Sequence, residues 1–189
     1  NLHNDYDVIL IDGTPSLGEM TTRVILASDL LIIPILPGAN DFRAMEHFFE
    51  RYNLAQETAG KEIPAYFLLN QYSDNVRLHT EIKELLEQFG LPIMNTTIRN
   101  RVSYVSSAVE GTGVYEGSDN KAKLEMVELT NEVLKIAAEA GLVEIALALK
   151  PYGHGVLVEL PGNGGQIQEP ASVGLFGLAV DAKSLPRNV

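Results

Sequence analysis

The chain alternates between short apolar runs and longer segments of mixed polarity. The apolar runs predict four strands, over residues 8–11, 30–36, 65–70 and 92–98, each followed by a turn or polar residue. The connecting segments have helical spacing and predict helices over 17–27, 42–59, 78–89 and 122–140. Because strands that alternate with helices build open α/β folds, the pattern predicts a doubly wound, mainly parallel sheet.

The last part of the chain has a different composition. Residues 150–189 contain 11 of the 25 glycines and prolines, and their three bases balance their three acids. We therefore predict an α/β domain over residues 1–149 and an irregular Gly/Pro-rich tail over 150–189. A flexible tail is favoured, while a small β appendage with a short strand at 156–160, or sequence foreign to the parent family, stays open.

Composition limits the function classes. The chain has 189 residues, of which 46% are hydrophobic, enough for one domain with a sizeable core. Its net charge of -11 argues against a protein that coats nucleic acid through overall charge, and the absence of cysteine excludes disulfides and cysteine-held metal sites. No apolar run reaches the roughly 18 residues that span a bilayer. A cytoplasmic protein is expected.

Asp12 is the first candidate for chemistry. It follows the continuous apolar run at 8–11, which is typical of a strand covered on both faces. In open α/β sheets, ligands gather beyond the carboxyl ends of the strands, where one acid can hold a water bound to Mg²⁺ beside a phosphate. The alternative is ordinary turn chemistry, since Asp-Gly-Thr-Pro suits a turn and Ser16 with Glu19 forms a capping box.

Four segments together resemble one family. Residues 6–18 resemble a Walker B strand with its switch II, although Gly13 and Thr14 depart from the usual residues. Residues 27–42 are similar to the next strand and its Pro-rich exit, and residues 67–78 to the strand whose closing Asn helps to hold adenine. Residues 97–116 resemble the last core loop and helix. The order of these segments resembles the carboxyl-terminal two-thirds of the ParA-type partition ATPases, deviant Walker A proteins that include MinD.

The resemblance implies a P-loop NTPase-like fold that binds ATP and Mg²⁺. Asp12 would hold a magnesium-bound water and act in catalysis. Thr14, Pro15, Ser16 and Gly18 would form switch II and sense the γ-phosphate. Asn70 would recognise the edge of adenine, with a turn asparagine as the alternative, and Arg99 would cover another face of the base.

Partners also follow from the resemblance. It implies a nucleotide-dependent homodimer, non-specific DNA on the nucleoid, and a ParB-like activator bound to a centromere-like site. DNA contacts are predicted for Arg77, Lys83, Arg99 and Arg101, with solvated surface charges as the alternative. A membrane partner is not expected, because the residues after Leu149 offer Gly and Pro instead of a basic amphipathic helix.

The deviant Walker A loop is missing from these residues. No Lys-Gly-Gly-x-x-x-Lys-Ser/Thr occurs in the sequence. The resemblance therefore implies an amino-terminally truncated chain that binds ATP poorly alone, because the loop supplies most phosphate contacts. Two functions stay open: a ParA-like ATPase of plasmid or chromosome partitioning, and a non-enzymatic remnant that acts as a protein-interaction module.

Overall fold

The computed structural model describes residues 8–13, 18–36, 38–73, 77–142, 155–159 and 175–180. Helices and strands alternate along most of this length, as the apolar pattern predicted. In chain order the elements are β1 (Val8–Gly13), α1 (Glu19–Ala27), β2 (Leu30–Ile35), α2 (Ala39–Ala59), β3 (Ala65–Tyr72), α3 (Arg77–Glu87), β4 (Ile93–Arg99), α4 (Val102–Glu110), α5 (Asn120–Glu139), β5 (Gly155–Glu159) and β6 (Leu175–Val180).

All four predicted strands and all four predicted helices are present, with shifted ends. α1 begins at Glu19 after Gly18, two residues later than predicted, and Ser16 of the predicted capping box lies outside the described residues. α3 ends at Glu87, and Gly90 then closes the turn with a φ of 72°, a left-handed conformation that glycine adopts without steric cost. The sequence also suggests that the last helix extends over 142–149, and of this stretch only Leu142 is among the described residues.

The six described strands form one sheet in the order β4-β3-β2-β6-β1-β5. β5 is parallel to β1, and β3 is parallel to both β2 and β4. β6 runs antiparallel to both β1 and β2, so β1 and β2 point the same way. The mainly parallel α/β sheet predicted from the sequence is thereby confirmed.

One face of the sheet is covered by the first three helices. Ile33 and Phe67 from the central strands are fully buried in a cluster with Ile25 of α1, Phe48 of α2 and Leu86 of α3. Phe49 of α2 also stacks on Phe89, with ring centroids 4.6 Å apart. This cluster is the larger core and fixes the strands that carry the candidate site.

The opposite face is covered by α5. Ile32, Leu68 and Ile98 pack there with Ile136 and Ala137. β2 is buried at all six positions because it has helices on both faces. Pro34 is tolerated within it because β6 pairs only with residues Leu30 to Ile32, which leaves no antiparallel ladder at the proline.

The buried face of α5 differs from the one that the sequence predicted. The apolar spacing of this helix predicts one buried face with Leu124, Val127, Leu134 and Ala138. In the structure Leu124 and Val127 are 56% and 40% exposed. The helix instead buries Ala122, Glu125, Ile136 and Ala137, because its carboxylates hydrogen-bond to the β4 segment and set its rotation. The spacing of apolar residues alone could not predict this buried face, since it includes the charged residue Glu125.

The tail contributes two strands to the central sheet. β5 confirms the short strand expected near 156–160, whereas β6 was not predicted. Both lie in the main sheet and not in a separate β appendage. Within the described part of the chain, no helix combines the length and apolar character that crossing a bilayer requires.

Candidate functional site

The carboxyl ends of β1, β2, β3 and β4 meet at one edge of the sheet, because these strands are mutually parallel. Asp12 lies at the end of β1, and Asn70 lies near the end of β3. β6 and β2 separate β1 from β3, so three strand spacings, roughly 14 Å in all, separate the two residues across the sheet. The fold thus brings both predicted residues to one edge without direct contact.

Asp12 is half-buried and sits between two tail strands in the sheet register. Its partners are Glu159 of the parallel β5 and Phe176 of the antiparallel β6. The predicted switch II residues Thr14, Pro15 and Ser16 lie outside the described residues, while Gly18 precedes α1 in an extended conformation. No group of three metal-ligating side chains occurs among the residues described. One carboxylate fits a Mg²⁺ site in which the ion keeps most of its waters.

Asn70 occupies an irregular point of β3. Its side-chain Oδ1 accepts the backbone N–H of Gln71 at 2.9 Å. Gln71 has a φ of 50°, the only positive φ of a non-glycine residue in the described part of the chain. The β3–β4 register also shifts between Leu69 and Tyr72. Bulges and left-handed residues of this kind concentrate next to functional sites, where they redirect a side chain.

The Asn70 amide fits the role of an adenine-binding group. Because Oδ1 accepts the Gln71 N–H, this hydrogen bond distinguishes the oxygen of the amide from its nitrogen, and Nδ2 is the donor. An amide donor matches the N1 acceptor of adenine, and an amide oxygen can share its second lone pair with the N6 amino group. The sequence predicted the residue type and strand end, and the structure adds its backbone anchor.

A pair of cations flanks the ring of Tyr72 at this edge. The Arg99 guanidinium lies 5.5 Å from the ring centroid, and Lys83 Nζ lies 5.8 Å from it. Tyr72 is buried, and its carbonyl accepts the Asn100 N–H at 3.0 Å. The two cations come from different elements, α3 and β4, so the fold brings two positive side chains together around one ring.

Glu125 organises the segment that follows β4, although no sequence pattern predicted a role for it. Its carboxylate accepts two bonds from the Arg101 guanidinium at 3.0 and 2.6 Å, and one each from Tyr104 Oη and Arg99 N at 3.0 and 3.2 Å. Glu125 is 8% exposed. The one sequence signal for it is spacing: Glu125 follows the buried Ala122 by three positions, which places both on one face of the helix.

These contacts shift the pKa values of the groups around Glu125. The hydrogen bond to Glu125 raises the pKa of Arg101. Burial, and then the hydrogen bond to Glu125, raise the pKa of Tyr104 above its ordinary value of 10.0. Asp119 caps α5, and the Ser103 hydroxyl followed by the backbone N–H of Ala122 lower its pKa. The loop from β4 to α4 is therefore held against α5 by charge-assisted bonds.

The predicted basic residues are in three different situations. Lys83 and Arg99 converge on Tyr72, whereas Arg101 is turned into the ion pair with Glu125. Arg77 begins α3, and its side chain lies outside the described part of the structure. The structure therefore groups two of the four residues that were predicted to contact DNA.

A family model and several known proteins match parts of this chain. A family model described as AAA domain matches residues 1–64. "Maintenance of carboxysome distribution protein A" of Halothiobacillus neapolitanus is 28% identical over 69% of this chain and 61% of its own length. "Cell division protein PomZ" of Myxococcus xanthus is 26% identical over 58% of this chain and 35% of its own length. "Protein SopA" of Escherichia coli K12 is 35% identical over 38% of this chain and 19% of its own length.

The chain thus spans between about a fifth and three-fifths of the length of these relatives. The matches include the β1 strand with Asp12, because the family model covers residues 1–64. The open, mainly parallel sheet agrees with the same relationship. The sequence matches and the fold together bear out the predicted resemblance to the ParA-type partition ATPases.

Proposed function

We propose that this chain forms part of a ParA-like ATPase of plasmid or chromosome partitioning, which dimerises with ATP and associates with DNA without sequence specificity. The observation that carries the proposal is the placement of Asp12 and Asn70 at one edge of the sheet, three strand spacings apart. The names of two relatives refer to carboxysome distribution and to cell division, which are positioning tasks inside cells. The whole protein would act in the cytoplasm on the nucleoid, with a ParB-like activator.

The proposed site divides the nucleotide between two strands. Asp12 would hold a water ligand of Mg²⁺ at the end of β1, and Asn70 would hold adenine at the end of β3. Bound Mg²⁺ supplies neutralisation of phosphate charge. The residues of this chain therefore orient the two ends of ATP, while they lack the Lys-Gly-Gly loop that would hold the phosphates between them.

Weak but specific nucleotide binding is the expected property of this chain. Without the phosphate-binding loop, we expect an affinity for Mg-ATP weaker than about 100 μM. Ligand-observed NMR and a fluorescent ATP analogue both suit this range. Titrations with ATP in Mg²⁺ and in excess chelator separate the Mg²⁺-dependent part of binding from the rest.

Asp12→Asn is the decisive variant. It keeps the size of the side chain and removes the charge, so we expect the Mg²⁺-dependent part of ATP binding to disappear. Asp29→Asn is the matched control, because Asp29 precedes β2 at the opposite edge of the sheet and pairs with Lys61 at 3.6 Å. Equal effects of the two substitutions, or tight binding that ignores Asp12→Asn, would contradict the assignment.

A second candidate is the protein-interaction module, and the surface of α4 favours it. Val102, Val105 and Val109 form a stripe on this helix and are 80%, 65% and 83% exposed. Exposed apolar side chains at this spacing are typical of surfaces that bind a partner. The test replaces the three valines by serine. If the chain binds no nucleotide, and if the replacement lowers the binding of a hydrophobic dye without changing stability, the protein-interaction module is the better description of this chain.

A further inference from the structure

The two oxygens of the Glu125 carboxylate bind two different groups of donors. Oε1 accepts both bonds from the Arg101 guanidinium, at 3.0 Å from Nε and 2.6 Å from one Nη. Oε2 accepts the backbone N–H of Arg99 at 3.2 Å and the Tyr104 hydroxyl at 3.0 Å. An ionised carboxylate offers about four acceptor positions, so these four bonds use its full capacity.

Oε2 of Glu125 connects α5 to the last residue of β4. Arg99 ends that strand and lies opposite Tyr72 of β3 in the sheet register. The Arg99 guanidinium lies 5.5 Å from the centroid of the Tyr72 ring, and the N–H of the next residue, Asn100, bonds to the Tyr72 carbonyl at 3.0 Å. The end of β4 thus contacts Tyr72 through a side chain and through the backbone.

Tyr72 in turn follows the irregular part of β3, residues 70–71. Gln71 has a φ of 50°, and its N–H bonds to the Asn70 side chain at 2.9 Å. A left-handed residue other than glycine is strained and persists only where its surroundings hold it. Gln71 is itself exposed, while its neighbours Leu69 and Tyr72 are 0% and 7% exposed. The segment 70–71 is therefore held from its two ends, and Tyr72 is the end that β4 contacts.

We propose that Glu125 is a positioning residue of the nucleobase site. It fixes Arg99, and through Arg99 and Tyr72 it sets the conformation of segment 70–71 in which the Asn70 amide can bind a base. Glu125 acts through these residues and does not itself touch the nucleotide. The base-binding part of this inference rests on the proposed function, whereas the mechanical connection from Glu125 to segment 70–71 does not.

Glu125→Gln tests the connection, because an amide has one acceptor oxygen where the carboxylate has two. That oxygen can serve Arg101 or the Arg99 N–H, and the NH₂ group that replaces the other oxygen accepts from neither. Arg101 is charged and donates twice, so we expect it to keep the oxygen while the Arg99 N–H loses its acceptor. In NMR spectra of the full chain without nucleotide, the resonances of the Arg99 amide and of segment 70–71 should then shift together.

Glu132→Gln is the matched control. Glu132 lies about two helical turns further along α5 and binds the same strand, through the backbone N–H groups of Asn95 and Thr96 at 2.6 and 2.7 Å. Its replacement should shift the resonances of these two residues and leave those of segment 70–71 in place. If segment 70–71 is unchanged in Glu125→Gln, or shifts equally in both variants, the proposal is wrong.

A second substitution provides a rescue. In the double variant Glu125→Gln with Arg101→Met, the competing guanidinium is gone, so the glutamine oxygen can accept the Arg99 N–H. The resonances of segment 70–71 should therefore return to their wild-type positions. The double variant also decides the matter if Glu125→Gln alone does not fold, because it buries no unpaired cation. A segment that stays displaced in the folded double variant would contradict transmission through Arg99.

Titrations with ATP and GTP test the base-binding part. Glu125→Gln should weaken ATP binding by about tenfold and lower the ratio of ATP to GTP affinity, since it displaces the Asn70 amide and not the phosphate-binding groups. Failure of the wild-type chain to bind ATP would overturn the proposed function and this part of the inference, but not the shift of segment 70–71, which needs no nucleotide. ATP binding by the wild type with an unchanged ratio in Glu125→Gln would overturn the positioning role alone.

Discussion

Arg101 and Glu125 form a two-point ion pair between the end of β4 and the first half of α5. Arg101 Nε and one Nη lie 3.0 and 2.6 Å from the same carboxylate oxygen, and the two side chains are only 23% and 11% exposed. Because solvent screens this pair little, it differs from the exposed pair of Lys135 and Glu139. It fixes the segment that leads from Arg99 into α4.

Glu125→Ala should destabilise the protein strongly. The change leaves the Arg101 guanidinium without its carboxylate and leaves Tyr104 Oη with only the Ala122 carbonyl as an acceptor, so we expect a loss of about 3 kcal/mol in the free energy of unfolding. Urea denaturation measures this. Glu128→Ala on the exposed side of the same helix should stay within about 0.5 kcal/mol of the wild type. A similar loss in both variants would mean that helix propensity, and not the ion pair, is responsible.

Glu132 should give stability a dependence on acid pH. Burial opposes its charge, but hydrogen bonds from Thr96 and Asn95 outweigh burial and lower its pKa from 4.5. A folded-state pKa below the unfolded one adds stability above pH 4.5, and this contribution is lost as the pH falls through the folded-state pKa. Glu132→Gln should therefore cost about 1 kcal/mol at pH 7 and progressively less below pH 4.5.

Urea denaturation at several pH values measures the Glu132 effect. Glu139→Gln is the control, because Glu139 is 67% exposed and pairs with Lys135 only at 3.8 Å. Its effect on the free energy of unfolding should be small at every pH. A Glu132→Gln difference that stays constant from pH 7 to pH 3 would show that the charge of Glu132 contributes nothing through these bonds.

Asn70→Asp should separate adenine recognition from strand geometry. The variant keeps Oδ1 for the Gln71 N–H and removes the Nδ2 donor. If Asn70 reads adenine, the lost donor should weaken ATP binding by about tenfold and raise the ratio of GTP to ATP affinity. Competition titrations with both nucleotides measure this. Equal weakening of ATP and GTP would indicate repulsion of phosphate instead of loss of base recognition.

Lys83 and Arg99 should act together if the proposed DNA association is correct. Replacement of both by glutamine removes two phosphate-binding charges, so the slope of log affinity against log salt should fall by about 2. Anisotropy titrations with a random duplex in the presence of ATP measure the slope. Lys121→Gln with Lys135→Gln is the control, since these exposed lysines lie on α5 and do not belong to the cation pair at Tyr72. An unchanged slope in the first double variant would show that the cation pair at Tyr72 does not contact DNA.

The sequence alone determined the α/β class, the order of the first four strands and the position of Asp12 at a strand end. Apolar runs such as Leu30–Ile35 can be recognised as strands from the sequence, because a strand that is buried on both faces must be apolar throughout. The same rule placed the end of the third strand at Asn70, where the apolar run stops, two residues before its observed end at Tyr72. These are local properties, and each is complete within a few residues.

Tertiary structure decided which residues meet. The distance between Asp12 and Asn70, the convergence of Lys83 and Arg99 on Tyr72, and the burial of Glu125 all depend on elements far apart in sequence. The position of β6 is the clearest case. A short apolar segment with a central glycine has a low intrinsic preference for strand, so its pairing with β1 and β2 decides its conformation. Strand pairing over more than 140 residues leaves no mark in local sequence pattern, since its energy comes from partners that the fold must first bring together.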